Sequence, residues 1–497
     1  MYKQNLIQKT IASSSLGNSQ KVSLIIIVLA SVLMAIMFGL FAVTANPIIV
    51  SIAVALMAGT VLLTKPSWLL WLVLVLGLLV VGILPLHFDF FASKAAWGVS
   101  LLGFFLMFIA FFGSATSPDK FKNTPLFIWI TLTFLVYALL NSLIQWYSPG
   151  EFLGGFKRYF QMWGVLFALC WLTFDERNVN RWQLFFLIAA LLQLPFALYE
   201  LIFFVPQLRS TWGVAAVDVV AGTFGARMDG GGSSGEMALF LIIVLGFLLA
   251  HQMEKTLSTV HLVLLTPVVL IPLFLGETKV VVILLPLMFL VLYRHKIFTH
   301  LHYWLMGFIV IISLTVAVAY SYLSLSDKPI NQQIEETLNY NIYGEGYGKA
   351  RQLNRTTVLT FWSEQQGMHD PISFIFGNGL GSSHFDGHIF KRYPTYGIDL
   401  TAASIILWDM GILGFGLFMN IFTSAWRCAG RLKRESTIPK VQADAVAIQA
   451  ALVLFAFHLF YRSSLLELIA IQIVFAALLG YLAWLYRNHI LVWQSGS

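Results

Sequence analysis

Charged residues are scarce in this sequence: they make up 11% of its 497 residues, against 59% hydrophobic residues. Soluble domains carry roughly 25% charged residues, so this composition excludes an ordinary soluble fold. Cysteine is rarer still. The two cysteines, Cys170 and Cys428, exclude both a disulfide framework and a metal cluster built on thiolates. The positive net charge, +7, is too small an excess to indicate nucleic-acid binding.

Long apolar runs are what the sequence has in abundance, and many reach the roughly 20 residues that a helix needs to cross a bilayer. We predict a single all-α polytopic membrane protein with about fourteen transmembrane helices. The first run, from Val22, is too long for a signal-peptide core and lacks a small-residue cleavage site, so we expect it to be retained as a span. The predicted spans are 22–43, 47–64, 67–86, 95–115, 124–146, 156–174, 183–205, 235–251, 259–275, 279–293, 303–323, 400–425, 444–462 and 465–486.

Lysine and arginine fall on alternate short loops, as at Lys65, Lys120 and Arg177. The positive-inside rule makes these loops and both termini cytoplasmic, in a bacterial inner membrane. The predicted organisation is a cytoplasmic tail (1–21), a bundle of about eleven spans (22–323), a large periplasmic loop (324–399), about three closing spans (400–486) and a cytoplasmic tail (487–497).

Ionisable side chains at membrane depth are costly, so their positions are informative. Here they gather toward the predicted periplasmic side, whereas a secondary transporter more often places such groups near the midplane. Snorkelling to the interface is the structural alternative for most of them. Lys279 lies in a bend of four or five residues with little access to solvent, which favours a functional role; Asp409 is the exception, expected half a membrane deep. The residues on the predicted periplasmic side are Lys157, Arg158, Glu200, Glu236, Glu277, Lys279, Arg462 and Glu467.

Two features of the large loop could bind phosphate. Residues 349–366 lack glycine and proline and predict a helix, with Arg351, Arg355 and Trp362 on one stripe. Two guanidiniums one turn apart suit a diphosphate, although a solvated helix face is the alternative. The glycine-rich turn at 376–383 could let backbone amides approach a phosphate.

Three polar residues, His384, Asp386 and His388, follow this turn. With one carboxylate and no second cluster, they do not predict a metal site. A single histidine, His384 or His388, acting as general base is the functional interpretation, and surface loop histidines are the alternative.

Taken in order, these motifs resemble the bacterial O-antigen ligases and the O-antigen or exopolysaccharide polymerases. The resemblance covers roughly 150–425 and includes the loop before the closing spans, Arg355 followed seven residues later by Trp362, and the sequence Trp-Asp-Met-Gly-Ile-Leu-Gly at 408–414. Glu277-Thr278-Lys279 looks like the place where ligases carry a Ser-Arg pair.

This resemblance implies a membrane-embedded, GT-C-like architecture and an inverting, metal-independent glycosyltransferase without a cofactor. Its donor is a sugar linked to polyprenyl diphosphate. Carried over by position, basic side chains bind the diphosphate, Glu277, Trp362 and Asp409 support the site, and His384 or His388 is the base. Ligases place the histidine where this chain has Leu400 and Thr401, a departure that favours a polymerase. The basic residues are Lys279 and Arg355, with Arg351, Arg227, Arg209 and Arg158 as helpers.

We therefore predict a polymerase that transfers a lipid-linked glycan onto a lipid-linked repeat unit at the periplasmic face. The alternatives are a ligase that transfers the glycan to a lipid A core or another acceptor, and a flippase for lipid-linked oligosaccharides. The expected partners are the donor and acceptor lipids, membrane lipids, and a chain-length regulator and flippase, without nucleic acid.

Overall fold

The structure is a computed structural model that describes residues 65–115, 123–209, 219–228, 232–276, 278–299, 353–367 and 369–489, with isolated positions between 305 and 338. The predicted spans 22–43 and 47–64, nearly all of 303–323, and the site residues Glu277 and Arg351 lie outside the described residues.

All regular structure in these described ranges is helical. The longer helices begin where sequence signals predict: a serine side chain accepts a backbone N–H at Ser148 and at Ser258, and proline opens the helices at Pro66, Pro149 and Pro439. The helices are α1 (Pro66–Val75, extended by a π turn at Leu76–Val80), α2 (Leu84–His87), α3 (Asp89–Ala115), α4 (Leu126–Ile144), α5 (Pro149–Phe160), α6 (Trp163–Trp171), α7 (Glu176–Phe203), α8 (Val205–Arg209), α9 (Ser234–Met253), α10 (Thr259–Leu275), α11 (Val281–Thr299), α12 (Thr357–Gln366), α13 (Pro371–Phe376), α14 (His388–Arg392), α15 (Ala402–Glu435), α16 (Pro439–Tyr461), α17 (Ser464–Glu467) and α18 (Ile469–His489).

Seven of the described helices are long and apolar enough to cross a membrane, and each overlaps a predicted span. They confirm that the protein is an all-α membrane protein, while the count of fourteen spans stays a prediction. Three shorter apolar helices coincide with further predicted spans, at Pro66–Val80, Thr259–Leu275 and Val281–Arg294. The seven long ones are Ala92–Ala115, Leu126–Ile144, Glu176–Gln207, Ser234–Met253, Ala402–Glu435, Pro439–Tyr461 and Ile469–His489.

The predicted span 156–174 is not one continuous helix, because the helix is interrupted between α5 and α6. Gln161 lies in the break, and its side chain accepts a hydrogen bond from Ser100 on α3 at 2.7 Å. Glycine makes this contact possible: a Cβ at Gly103 would lie 2.0 Å from the Gln161 carbonyl, and one at Gly164 would lie 2.0 Å from the Gly103 carbonyl. The amphipathic α5 therefore meets the spanning helices at an angle that apolar length alone does not predict.

Helix α15 is kinked at Gly411, where φ is 63° and ψ is −171°. The loop 377–383 packs into this kink, and Asn141 of α4 donates to the carbonyl of Asp409 at 3.1 Å. Asn141 lies three residues before α4 ends, so Asp409 lies near one end of the bundle. Asp409 thus lies before the kink of α15, near the start of a helix that runs on to Glu435, while its depth in the membrane stays a prediction.

Helices of alternating direction give the bundle two ends. The end called the polar end is where α4, α7, α10 and α16 finish and where α5, α9, α11, α15 and α18 begin. The opposite end is called the far end. Close contacts link the polar end across the bundle. A Cβ at Gly235 would lie 3.6 Å from Tyr461 and 4.0 Å from Val280. A Cβ at Gly276 would lie 3.1 Å from the carbonyl oxygen of Val220.

Candidate functional site

The turn between α16 and α18, residues 461–467, lies at the centre of the polar end. Helix α16 stops at Arg462, whose backbone is extended, and the carbonyl of Arg462 accepts the N–H of Ala402 at 3.0 Å. Ser463 donates to Glu467 at 2.6 Å, and the buried His458 pairs through Nε2 with Ser464 at 2.7 Å. These bonds fix the turn and join it to the start of α15.

Arg355 binds the first residue of this turn. Its Nε donates to the Tyr461 carbonyl at 2.7 Å, and its guanidinium carbon lies 4.3 Å from the centre of the Tyr461 ring. Asn354 positions the arginine, because its side chain accepts the N–H groups of Thr356 and Thr357 at 2.9 and 2.7 Å and so starts α12. Arg355 precedes α12, so the prediction that 349–366 is helical throughout is wrong at 353–356.

A second arginine of the turn, Arg462, pairs with Glu236 at 2.8 Å and donates to the carbonyl of Gly232 at 3.0 Å. Glu236 is buried in the first turn of α9, where the helix dipole favours a carboxylate. Lys279 is half-buried in the bend before α11, next to Val280, which approaches Gly235 of α9. The structure therefore brings Lys279 and Arg355 to the same part of the polar end, around Tyr461.

On the other side of the turn, Glu467 pairs with the buried Arg158 at 2.6 Å. The Arg158 guanidinium also contacts Nδ1 of His384, which accepts the N–H of Phe385 at 2.7 Å. Asp399 completes this group, since its carboxylate, the His384 ring and the Glu467 carboxylate offer atoms within 4.8 Å of one another. We call Arg158, His384, Asp399 and Glu467 the acid–base cluster.

The environment of this cluster shifts two groups in opposite directions. Burial, reinforced by the Arg158 charge, lowers the pKa of His384 to about 4. Burial, reinforced by the negative charge of Glu467, raises the pKa of Asp399 to about 6. At neutral pH His384 is thus an uncharged ring whose Nδ1 faces donors, and Asp399 is a carboxylate that readily takes a proton.

Histidine and two carboxylates are also metal-ligand types. Arg158, however, already contacts both His384 and Glu467, so a divalent cation would have to displace a guanidinium. This donor set therefore fits a metal ion poorly, and the absence of a metal from the mechanism stays a prediction.

His388, the other predicted base, lies apart from the acid–base cluster. Its Nδ1 is 2.9 Å from Glu151, its backbone N–H donates to the same carboxylate at 2.8 Å, and its ring stacks on Tyr147 at 4.8 Å. These contacts fasten the start of α14 to α5. His388 pairs through Nδ1 with the Glu151 carboxylate, and its role as base stays a prediction.

The glycine-rich turn does not present its amides to an external anion. The N–H groups of Gly381 and Ser383 and the hydroxyl of Ser382 all donate to the Asp409 carboxylate, at 3.1, 2.9 and 2.8 Å. Tyr159 donates to the same carboxylate at 3.2 Å. The prediction of a phosphate cradle here is therefore wrong, because the protein supplies its own anion, and Asp409 supports the site by fixing the loop.

The other predicted residues divide between support and surface. Trp362 is buried, stacks on Phe374 at 4.7 Å and donates to Gln366 at 3.2 Å, so it packs α12 against α13. Arg227 is exposed at the polar end. Arg209 ends α8, and its side chain lies outside the described residues.

Asp399 is the residue that the sequence analysis missed. Its signal was its place directly before Leu400 and Thr401, where the ligases carry their histidine. Tyr461 was also missed, because its carbonyl and ring contacts with Arg355 have no sequence signature. Arg462 and Glu467 were recognised only as charges near span ends.

No protein-family model matches the sequence, and no curated protein matches it either. The resemblance to O-antigen ligases and polymerases therefore stays a prediction that rests on the order of short motifs in the sequence.

Proposed function

We propose that this chain is a membrane glycosyltransferase of the polysaccharide-polymerase type, which moves a glycan from polyprenyl diphosphate onto a second lipid-linked repeat unit. The observation that carries the proposal is the convergence of Arg158, Arg355 and Arg462 on one turn, whose Glu467 lies beside the Asp399 carboxylate. Lys279 lies at the same end of the bundle. A lipid diphosphate keeps its tail in the bilayer and its charge at the interface, so it needs cations at helix ends.

The reaction is a single displacement with inversion. The acceptor hydroxyl gives its proton to Asp399 while its oxygen bonds to the anomeric carbon of the donor sugar. The bond from that carbon to the diphosphate oxygen breaks, and the diphosphate leaves with the electron pair. Positive side chains near the leaving group stabilise the charge that develops on it.

A hydrogen-bond donor without a partner supports the proposal that Arg158 binds the diphosphate. Within the described part of the chain its Nη1 has no hydrogen-bond partner, although the group is buried. An unsatisfied buried donor costs free energy, which an anionic oxygen would recover.

The test uses purified full-length protein in liposomes with a polyprenyl-diphosphate oligosaccharide repeat. We expect lipid-linked chains of several repeats, and a rate about 10²–10³-fold lower for Arg158→Ala and for Arg355→Ala. Arg392→Ala, an exposed cation of α14, is the matched control and should keep the normal rate.

The other two functions give different results in the same assay. Glycan attached only to an added second acceptor would identify a ligase, and movement of intact lipid between leaflets without new glycosidic bonds would identify a flippase. Normal chain growth in both arginine variants would remove the site assignment.

A further inference from the structure

A cavity among the described residues lies away from the acid–base cluster, toward the far end of the bundle. Its volume is about 440 Å³, within the roughly 300–1,000 Å³ typical of ligand pockets. Helices α1, α6, α7, α9, α16 and α18 contribute to its walls. We call it the far chamber.

The walls of the far chamber change character along its length. Leu187 of α7, Phe240 and Val244 of α9, and Leu478 of α18 make its inner part apolar. Polar side chains gather where the helices end: Asn180, Gln183, His251, Lys440, Asp444 and Tyr481.

The polar part of the chamber is internally paired but keeps a positive charge at its margin. Asp444 is fully buried and accepts from Tyr481 at 2.6 Å, with His251 Nε2 at 3.0 Å. Lys440 donates to the amide oxygen of Asn180, an uncharged partner, at 2.5 Å, and so places an ammonium group at the chamber margin. An amphipathic anion suits this arrangement, with its chain in the apolar part and its charge beside Lys440.

We propose that the far chamber binds one acidic glycerophospholipid, with an acyl chain between α7 and α9 and the phosphate beside Lys440. The walls argue for an acyl chain, because the inner part of the chamber is lined by apolar side chains and its volume is that of an ordinary ligand pocket. Charge argues for an acidic head group, because the chamber margin carries Lys440. The proposal is independent of the enzyme activity.

The experiment reconstitutes the full chain in vesicles that contain phosphatidylglycerol with a photoreactive group in its acyl chain. After irradiation, mass spectrometry should locate adducts in α7 and α9 beside the chamber. Leu187→Trp fills the chamber and should remove most of these adducts. Its matched control is Ile188→Trp on the same helix, where the native side chain is 44% exposed, and adducts should be retained there.

Head-group selectivity tests the proposal without altering the core. Phosphatidylglycerol should label the chamber more strongly than phosphatidylcholine, and Lys440→Gln should reduce this preference about fivefold. Arg434→Gln, an exposed cation at the same end, should leave it unchanged. The proposal is overturned by equal labelling in Leu187→Trp and Ile188→Trp, by no adducts in the chamber, or by stronger labelling with a photoreactive polyprenyl phosphate.

Discussion

Asp399 shows how one side chain acquires a chemical role from its surroundings. The carboxyl is half-buried and faces the negative charge of Glu467, and both effects raise its pKa to about 6. Arg158 reduces the shift without cancelling it. A base with a pKa near the working pH combines an adequate ionised fraction with an adequate affinity for the proton.

The expected pH dependence of the proposed glycan transfer follows from this pKa. Asp399 must be ionised to accept a proton, so the rate should rise with pH through about 6 and then level off. His384, with its pKa at about 4, stays uncharged over that range. Asp399→Asn should lower the rate about 10²–10⁴-fold in the same liposome assay. It should also abolish the rise in rate between about pH 5 and 7.

Asp386→Asn is the control for that measurement, because Asp386 is an exposed carboxylate of the same loop. It should retain both the rate and the pH profile. If the rate of Asp399→Asn still rose with pH over the same range, the titrating group would be a different residue.

Asp409 has a purely supporting role, which can be separated from catalysis. Its carboxylate accepts from Gly381, Ser382, Ser383 and Tyr159. In Asp409→Asn an amide NH₂ replaces one acceptor oxygen and faces these donors. We expect a loss of about 2–4 kcal/mol in the free energy of unfolding, measured as a lower melting temperature of the protein in detergent.

Asp370→Asn provides the comparison for Asp409. Asp370 caps the short helix α13 through Ser373 and is exposed. Asparagine is an equally good cap, so its melting temperature should stay near that of the parent protein. Equal melting temperatures for the two variants would contradict the role given to Asp409.

Individual site residues were only partly predictable from the sequence. Lys279 stood out because a cation beside a membrane span is costly, and Arg355 because it shares a predicted helical stripe with Arg351 and Trp362. The glycine-rich turn gave a wrong prediction. A run of backbone N–H groups indicates that an anion binds there, but the pattern does not distinguish a ligand from the protein's own Asp409. Contacts across long sequence separations, such as Arg158 with His384, leave no local pattern.

Among the elements, the kink of α15 does most to shape the polar end. Gly411 has a positive φ and an extended ψ, a region that is essentially restricted to glycine. A Cβ there would lie 2.4 Å from the carbonyl oxygen of Ile375. The kink exposes carbonyls that would otherwise be bonded within the helix, and Tyr137 donates to one of them, that of Met410, at 2.8 Å.

Gly411→Ala should therefore destabilise the protein by about 3 kcal/mol or more, through backbone strain and the clash with Ile375. Thermal unfolding in detergent measures the effect. Gly416→Ala is the matched control on the same helix, because a Cβ there has nothing within 4 Å. It should be neutral or slightly stabilising, since alanine favours helix over glycine by about 1 kcal/mol. Similar losses in both variants would show that the kink is not special.

Element positions were more predictable than their interruptions. Apolar runs predicted all seven long spans within a few residues at most ends, because length and hydropathy are local properties. The break at Gln161 and the kink at Gly411 depend on packing against α3 and the loop 377–383. Those partners are distant in sequence, so no local pattern identifies them.

At the scale of the whole molecule, the acid–base cluster and the far chamber lie at opposite ends of the bundle. The sequence predicts that the polar end faces the periplasm, because the far-end loops carry Lys65, Lys255 and Arg434. In intact cells, a membrane-impermeant maleimide should label Asp386→Cys. Glu435→Cys should react only after the inner membrane is permeabilised.

Both labelling variants are best made with Cys170 and Cys428 replaced by serine, since Cys428 is only partly buried. The parent protein without cysteine is the background control. Labelling of Glu435→Cys in intact cells would reverse the orientation and would remove the polar end from the periplasm.

Part of the hold of the large loop on the bundle runs through main-chain carbonyls. Arg355 binds the carbonyl of Tyr461, and the N–H of Ala402 binds the carbonyl of Arg462. Every amino acid supplies these carbonyls, so these two hydrogen bonds do not themselves depend on which residues stand at positions 461 and 462. Main-chain hydrogen bonds of this kind leave little trace in a sequence alignment. Distant relatives of this protein are therefore better sought by comparing backbone structures than by comparing sequences.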